Sequence, residues 1–98
     1  MIGAMKGGWV YIMTNRPNGT LYVGVTNDIA RRAYEHRAGT GGFTGSYRLH
    51  MLVYAKQHDE IVPAIQREKN IKEWPRAWKI GLIRGLNPDW RDLYDELI

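Results

Sequence analysis

The sequence predicts an α/β domain: a small three-stranded antiparallel sheet flanked by helices, in the order β-β-α-β-α-α. Three observations predict it. Two short β-prone runs flank the turn-forming segment Asn15-Arg16-Pro17-Asn18-Gly19. A third, apolar run spans Leu49 to Lys56. Between and after these runs, apolar residues recur at helical spacing in segments punctuated by Pro and Gly.

Val10 to Thr14 and Thr20 to Val25 are the expected arms of a β-hairpin, and Asn18-Gly19 suits positive φ at its turn. Gly24 interrupts the second arm, which signals a close backbone approach or a bulge. Thr26 or Asn27 is the expected cap of a helix from Asp28 to Ala38, ended by Gly39. Residues 39–45 hold four Gly and two Thr and predict a mobile loop. The run from Leu49 is the more continuously apolar and is expected to be the central strand. Glu60 to Glu73 follows a helical period, with Pro63 confined to its first turn. After Trp74-Pro75, Arg76 to Arg84 forms another helix with Gly85 beyond its end. Asn87-Pro88 starts a turn, and Asp89 to Leu97 is a last short helix. The four Trp read as core residues, Trp78 sharing a helix face with Leu82.

The 98 residues suit one domain over 1–98, with a core over about 9–93. No internal repeat or linker is visible. The absence of Cys excludes disulfides and cysteine-based zinc sites. No apolar run approaches the roughly 20 residues of a membrane span, and Met1 to Lys6 lacks a signal-peptide pattern. A soluble cytoplasmic protein with no membrane partner is the expectation. The net charge of +4 and the pI of about 9.6 suit a polyanionic partner.

Glu68 is the most informative residue. Ile61, Ala64, Ile65 and Ile71 form an apolar helix stripe, and Glu68 falls on it. A carboxylate there is partly buried and needs a cation or hydrogen bonds. It is either a salt-bridge partner of a nearby Arg or a metal ligand, and periodicity alone favours the salt bridge. Arg32 and His36 share a helix face, one turn apart, and can meet a phosphate from one side. Ile29 and Ala33 point along a different line, toward the core. An ordinary solvated face is the plainer reading of the pair, since Arg31, Glu35 and Arg37 are neighbours. Tyr11 and Tyr22 lie in opposite arms of the hairpin, where aromatic pairs usually stabilise sheets. Asn87 reads as a turn residue, and His50 and His58 lack ligand spacing.

Taken together, these residues resemble a known family. Trp9-Val10-Tyr11 followed, after ten residues, by Tyr22-Val23-Gly24 resembles the paired GIY and YIG strands of the GIY-YIG nuclease superfamily. Val25 to Arg32 resembles the continuation in which the family's catalytic Arg follows a Thr and an Asp or Asn. Arg32 matches that Arg, and His36 matches the His or Tyr one turn later. Arg67-Glu68-Lys69, with Ile71-Lys72 and Trp74, resembles the segment carrying the family's single metal-binding Glu. Asn87-Pro88, with Trp90, Asp92 and Leu93, resembles the closing motif of small single-domain bacterial members. The nuclease portion of the excision-repair C subunit is a similar domain. Two departures stand out. The first motif matches only by its Tyr, and Val25 occupies a site where some relatives carry a Lys that helps the base.

The resemblance implies the GIY-YIG fold and a metal-dependent endonuclease, cutting phosphodiester bonds in DNA structures of the repair or recombination type. It implies one divalent ion, Mg²⁺ or Mn²⁺, held by Glu68. It also implies Arg32 on a phosphate oxygen, Tyr11 as general base with Tyr22 orienting water (or the reverse), His36 assisting, and Asn87 bracing the site. Arg31, Arg37, Arg48, Lys56, Lys69, Lys72 and Arg76 are the expected nucleic-acid-binding residues, with DNA ahead of RNA as partner. The rival expectations are a non-catalytic nucleic-acid-binding module and a protein-interaction domain using the Trp-rich C-terminal half.

Overall fold

The computed structural model describes residues 7–38 and 49–97. The chain runs as β1 (Gly8–Thr14), β2 (Leu21–Thr26), α1 (Ile29–Ala38), β3 (Met51–His58), α2 (Ile61–Glu73), α3 (Arg76–Leu86) and α4 (Tyr94–Leu97). This is the expected order, with α4 as the last short helix. The expected glycine-rich loop, Gly39, Arg48 and the stretch from Met1 to Lys6 lie outside the described residues. Among the described residues no helix is long and apolar enough to cross a membrane.

The hairpin forms where the turn chemistry places it. Asn18 takes φ 59°, as Asn tolerates better than most residues. The Gly19 N–H donates to the Arg16 carbonyl, and the Asn15 side chain accepts the Thr20 N–H. The sheet is antiparallel in the order β2-β1-β3. The central strand is therefore β1, not the run from Leu49. An apolar run reports burial rather than position, and β3 is buried at its outer edge by the C-terminal segment. There the Leu93 N–H donates to the Leu52 carbonyl at 2.7 Å. Asp92 Oδ1 accepts the Leu52 N–H at 3.1 Å, and Asn87 Nδ2 donates to the Val53 carbonyl at 3.1 Å.

Both faces of β1 are covered. Val10 and Ile12 point to a cluster with Ala64 and Ile71 of α2 and Ile83 of α3. Tyr11 and Met13 point to the other cluster, with Ile29 and Ala33 of α1 and with Leu93. Period-two alternation thus puts the Tyr11 phenol on the α1 side of the sheet.

Several boundaries differ from expectation for identifiable reasons. The cap of α1 is Asp28, not Thr26 or Asn27: its Oδ1 accepts the Arg31 N–H at 3.1 Å, while Thr26 Oγ1 accepts the Asp28 N–H. Helix α3 passes through Gly85 to Leu86 and closes where the Asn87 N–H donates to the Ile83 carbonyl. A helical Gly costs only about 1 kcal/mol, which packing outweighs. Before α4 the chain bends around Trp90, whose φ is 55° and whose ring is buried. Trp90 is the one buried Trp; Trp78 is 60% exposed. The buried residue of α3 is Ile83, and Trp78 lies on the opposite side of that helix.

Candidate active site

Tyr11 and Tyr22 stand on adjacent strands, on the same face. In the β1–β2 register Tyr11 pairs with Gly24 and Tyr22 with Met13, so the two phenols are diagonal neighbours. Their ring centroids are 6.3 Å apart. Gly24 is the reason Tyr11 fits. A Cβ at that position would lie 2.5 Å from both Cζ and Oη of Tyr11. Gly24 therefore marks a close approach, of a side chain to backbone, rather than a bulge. Gly24→Ala is expected to displace the Tyr11 ring. Melting should report a loss of about 1–3 kcal/mol, as in overpacked cores, and any cleavage should fall by about 10²-fold because the phenol is misplaced.

Helix α1 lays three residues against these rings. Its buried positions are Ile29, Ala33 and His36. His36 is thus part of the buried stripe, not of a separate face shared only with Arg32. Its ring lies 5.6 Å from that of Tyr11 and 5.5 Å from that of Tyr22. Arg32 reaches in from the helix flank, and its Nε donates to the Tyr11 hydroxyl at 3.3 Å. The Tyr11 hydroxyl and His36 Nε2 are 3.1 Å apart. Arg32 can only donate, so the single Tyr11 proton is assigned to point at His36 Nε2, which places the His36 proton on Nδ1.

Electrostatics support that assignment. Burial pushes the Tyr11 phenol up to about 12, opposed by the Arg32 hydrogen bond and reinforced by the nearby Tyr22 and Glu68. Burial, and then the Arg32 charge, push His36 down to about 4, so it is neutral at neutral pH. Arg32 is held charged beyond its usual range, chiefly by Tyr11. The His36 shift has a consequence for stability. Its folded value lies below the usual 6.5, so protons favour the unfolded chain. Stability is full above about pH 6.5 and is lost progressively toward pH 4, by up to roughly 3 kcal/mol. A melting series over that window should decline in the parent and flatten in His36→Gln, the residual slope below pH 4.5 belonging to carboxylates such as Glu35. A parent series as flat as the variant's would contradict a buried neutral His36.

Glu68 lies on the buried stripe of α2 with Ala64 and Ile71, as the periodicity predicts. Its carboxylate is met by Lys72 Nζ at 2.6 Å, so the salt bridge expected with an Arg is made by a Lys one turn further along the helix. The same ammonium stands 6.0 Å from the Tyr22 ring. Glu68, Lys72, Tyr22, Tyr11, Arg32 and His36 thus form one connected group. Among the described residues no three His, Asp or Glu side chains gather as a metal set. One carboxylate suits an ion that keeps most of its water, as Mg²⁺ does, and not a tetrahedral zinc. The chemistry of one carboxylate is compatible with the single Mg²⁺ or Mn²⁺ that the resemblance implies, in exchange for the Lys72 ammonium now paired with it.

Other expected residues lie elsewhere. Asn87 is fully buried, and its amide bonds go to the backbones of Val53 and Arg91. It braces the edge of β3, with no hydrogen bond to the Tyr11 group. Arg76 Nη2 donates to the carbonyls of Asn18 and Gly19, tying α3 to the hairpin turn. Arg37 pairs with Asp92 and stacks over Tyr94. Lys56 pairs with Val10 across the sheet, so it shares the Val10 face and not the Tyr11 face. Lys69 and Arg31 are exposed on α2 and α1. One site neighbour escaped the sequence reading. Glu35 accepts Arg32 Nη1 at 2.9 Å and Arg31 Nε at 3.2 Å, orienting both. Its spacing of three and four from those Arg residues was the available signal.

Comparison with known proteins shows the family. Residues 7–81 match the model of the GIY-YIG catalytic domain. A UPF0213 protein of Syntrophus aciditrophicus is 37% identical over 87 residues, covering 87% of this chain and 98% of its own length. A UPF0213 protein of Desulfotalea psychrophila is 33% identical over 88 residues, covering 88% and 80%. Another, from the Orgyia pseudotsugata multicapsid polyhedrosis virus, is 33% identical over 80 residues, covering 79% and 77%. No solved structure matches the chain. With its paired Tyr strands, its Arg on α1 and its buried Glu on α2, the chain belongs to the GIY-YIG family of nuclease domains.

Proposed function

We propose that the protein is an endonuclease that hydrolyses phosphodiester bonds in DNA with the help of one divalent ion, Mg²⁺ or Mn²⁺. The observation that carries this reading is the buried Glu68 carboxylate beside the Arg32–Tyr11–His36 hydrogen-bonded chain. A module that only binds nucleic acid has no use for that chain, and the Glu68–Lys72 pair alone would serve it only as a structural salt bridge. Glu68 would hold the ion, which when bound supplies Lewis acidity to the scissile phosphate and its leaving oxygen.

The remaining chemistry belongs to the side chains. Arg32, whose Nε and Nη1 are engaged by Tyr11 and Glu35, offers its permanent charge and remaining N–H groups to a non-bridging phosphate oxygen. Tyr11 accepts a proton from the attacking water while its own proton passes to His36 Nε2. The phenol stays neutral throughout, which suits a buried group whose phenolate is disfavoured. Burial and the Arg32 charge disfavour the cation left on His36, so the transfer depends on the incoming phosphate charge to offset them. Tyr22, on the same face, orients the water. Arg31, Lys69 and Lys72 offer charge to the backbone on either side, positioning rather than reading sequence.

The test is a gel assay of the full chain on duplex, nicked, branched and single-stranded DNA and on RNA. Cleavage is expected with Mg²⁺ or Mn²⁺, DNA ahead of RNA, and none with a chelator. Binding without cleavage of any substrate would favour the non-catalytic module instead.

A further inference from the structure

Beside the Tyr11–Arg32 group, the end of β2, the start of α1 and the first turns of α2 border a cleft of about 900 Å³. Its apolar wall is Val25, Ile61 and Ile65; Val25 pairs with Val10, so this wall belongs to the Val10 side of the sheet and Arg32 meets it from the Tyr11 side. Thr26, Asn27 and Asp28 supply a polar rim, and Arg31 and Arg32, both paired with Glu35, complete the lining. Arg32 belongs to both places, since its Nε donates to the Tyr11 hydroxyl while its side chain lines the cleft. Lys69 and Lys72 follow Ile65 at i+4 and i+7, so two cations share the flank of α2 that carries the wall. A metal site alone calls for no aliphatic wall. An unused gap in the core would have no polar rim and no guanidiniums in its lining.

We propose that this cleft receives the nucleoside attached to the phosphate that Arg32 holds, its base lying against Ile61 and Ile65. This deepens the nuclease reading and rests on it. The composition suits such a ligand: a base face for Val25, Ile61 and Ile65, edge donors and acceptors for Thr26, Asn27 and Asp28, and a phosphate for Arg32, which has to share its charge between that phosphate and Glu35. A base inside continuous duplex cannot enter such a cleft without leaving its stack, whereas an unpaired base enters at lower cost. The substrate class is therefore nucleic acid with an unpaired nucleotide at the scissile phosphate: a flap, a gap or a single strand.

The experiment follows methyl and amide resonances of the full chain on titration with thymidine 3′,5′-bisphosphate and, separately, with inorganic phosphate. The nucleotide should move the methyls of Val25, Ile61 and Ile65 saturably, and inorganic phosphate should move only the surroundings of Arg32. Ile65→Trp, which fills the cleft, should weaken the nucleotide at least tenfold and leave the phosphate effect unchanged. If that variant disturbs the rest of the spectrum, Asn27→Trp at the exposed rim serves in its place. Equal effects of nucleotide and phosphate, or unchanged nucleotide affinity in the filled variant, overturn the proposal. So does parent-rate cleavage of a strand with abasic nucleotides on both sides of the cut. A chain that binds the nucleotide in the cleft yet cuts neither DNA nor RNA keeps the cleft and overturns the nuclease reading.

Discussion

Glu68→Gln is expected to lower metal-dependent cleavage by at least about 10³-fold, roughly 4 kcal/mol of transition-state stabilisation. The substitution keeps the shape of a side chain that is 9% exposed and removes its charge. It also leaves Lys72 without its partner, but that ammonium is about half exposed and water can take over its solvation. Stability should therefore change by no more than about 1 kcal/mol, a shift of about 4–8 °C or less in a domain of this size. DNA binding without metal should persist or tighten, because a negative charge near the phosphate is gone. A purely structural salt bridge predicts the reverse: a markedly lower melting temperature with cleavage retained. That outcome, measured on the same pair of proteins, would sink the metal assignment and the one-ion mechanism together.

Tyr11→Phe should have the second-largest effect. The ring keeps its burial between the sheet and α1, so the packing survives. The hydroxyl that accepts from Arg32 Nε and donates to His36 Nε2 is removed. Cleavage should fall by about 10²–10⁴-fold, the usual range for loss of a positioned acid–base group. Stability should fall by about 1–3 kcal/mol, because two partly buried polar atoms lose their partner. Tyr22→Phe should be milder on both counts. If Tyr22→Phe proves the more damaging to cleavage, the roles of the two phenols are exchanged.

The features that carry these two expectations were legible in the sequence to different depths. Glu68 could be placed on the inner face of its helix because Ile61, Ala64, Ile65 and Ile71 define that face without ambiguity. The hairpin was legible because Asn18-Gly19 permits few alternatives. Gly24 announced a close approach, though not that the approaching group would be the Tyr11 phenol. The position of β3 was not legible. The stretch from Trp9 to Met13 is as continuously apolar as the one from Met51 to Ala55, and only tertiary packing separates a strand paired on both sides from one covered by a loop. His36 was misread for a related reason. Its spacing from Arg32 is a helix-face relation, but so is the run Ile29, Ala33, His36, and the second relation decides burial. The linking role of Glu35 was hidden among other charges, because a carboxylate at i+3 or i+4 from an Arg is common on solvated helices.

The clasp that Asn87, Asp92 and Leu93 make along β3 has a consequence for how this fold can be handled. A strand whose outer carbonyls and N–H groups lack partners is a template for pairing with other chains. The family match ends at residue 81, before any clasp residue. A fragment cut there would keep the polar groups around Tyr11 and Glu68, but it would lose Leu93 from the Tyr11 cluster and Ile83 and Trp90 from the other, and bare the Leu52 and Val53 backbone, together with an apolar run suited to intermolecular β-pairing. The segment from Asn87 to Leu93 is therefore expected to protect solubility as well as the packing behind Tyr11, and a transplantable version of the domain has to extend through Leu93.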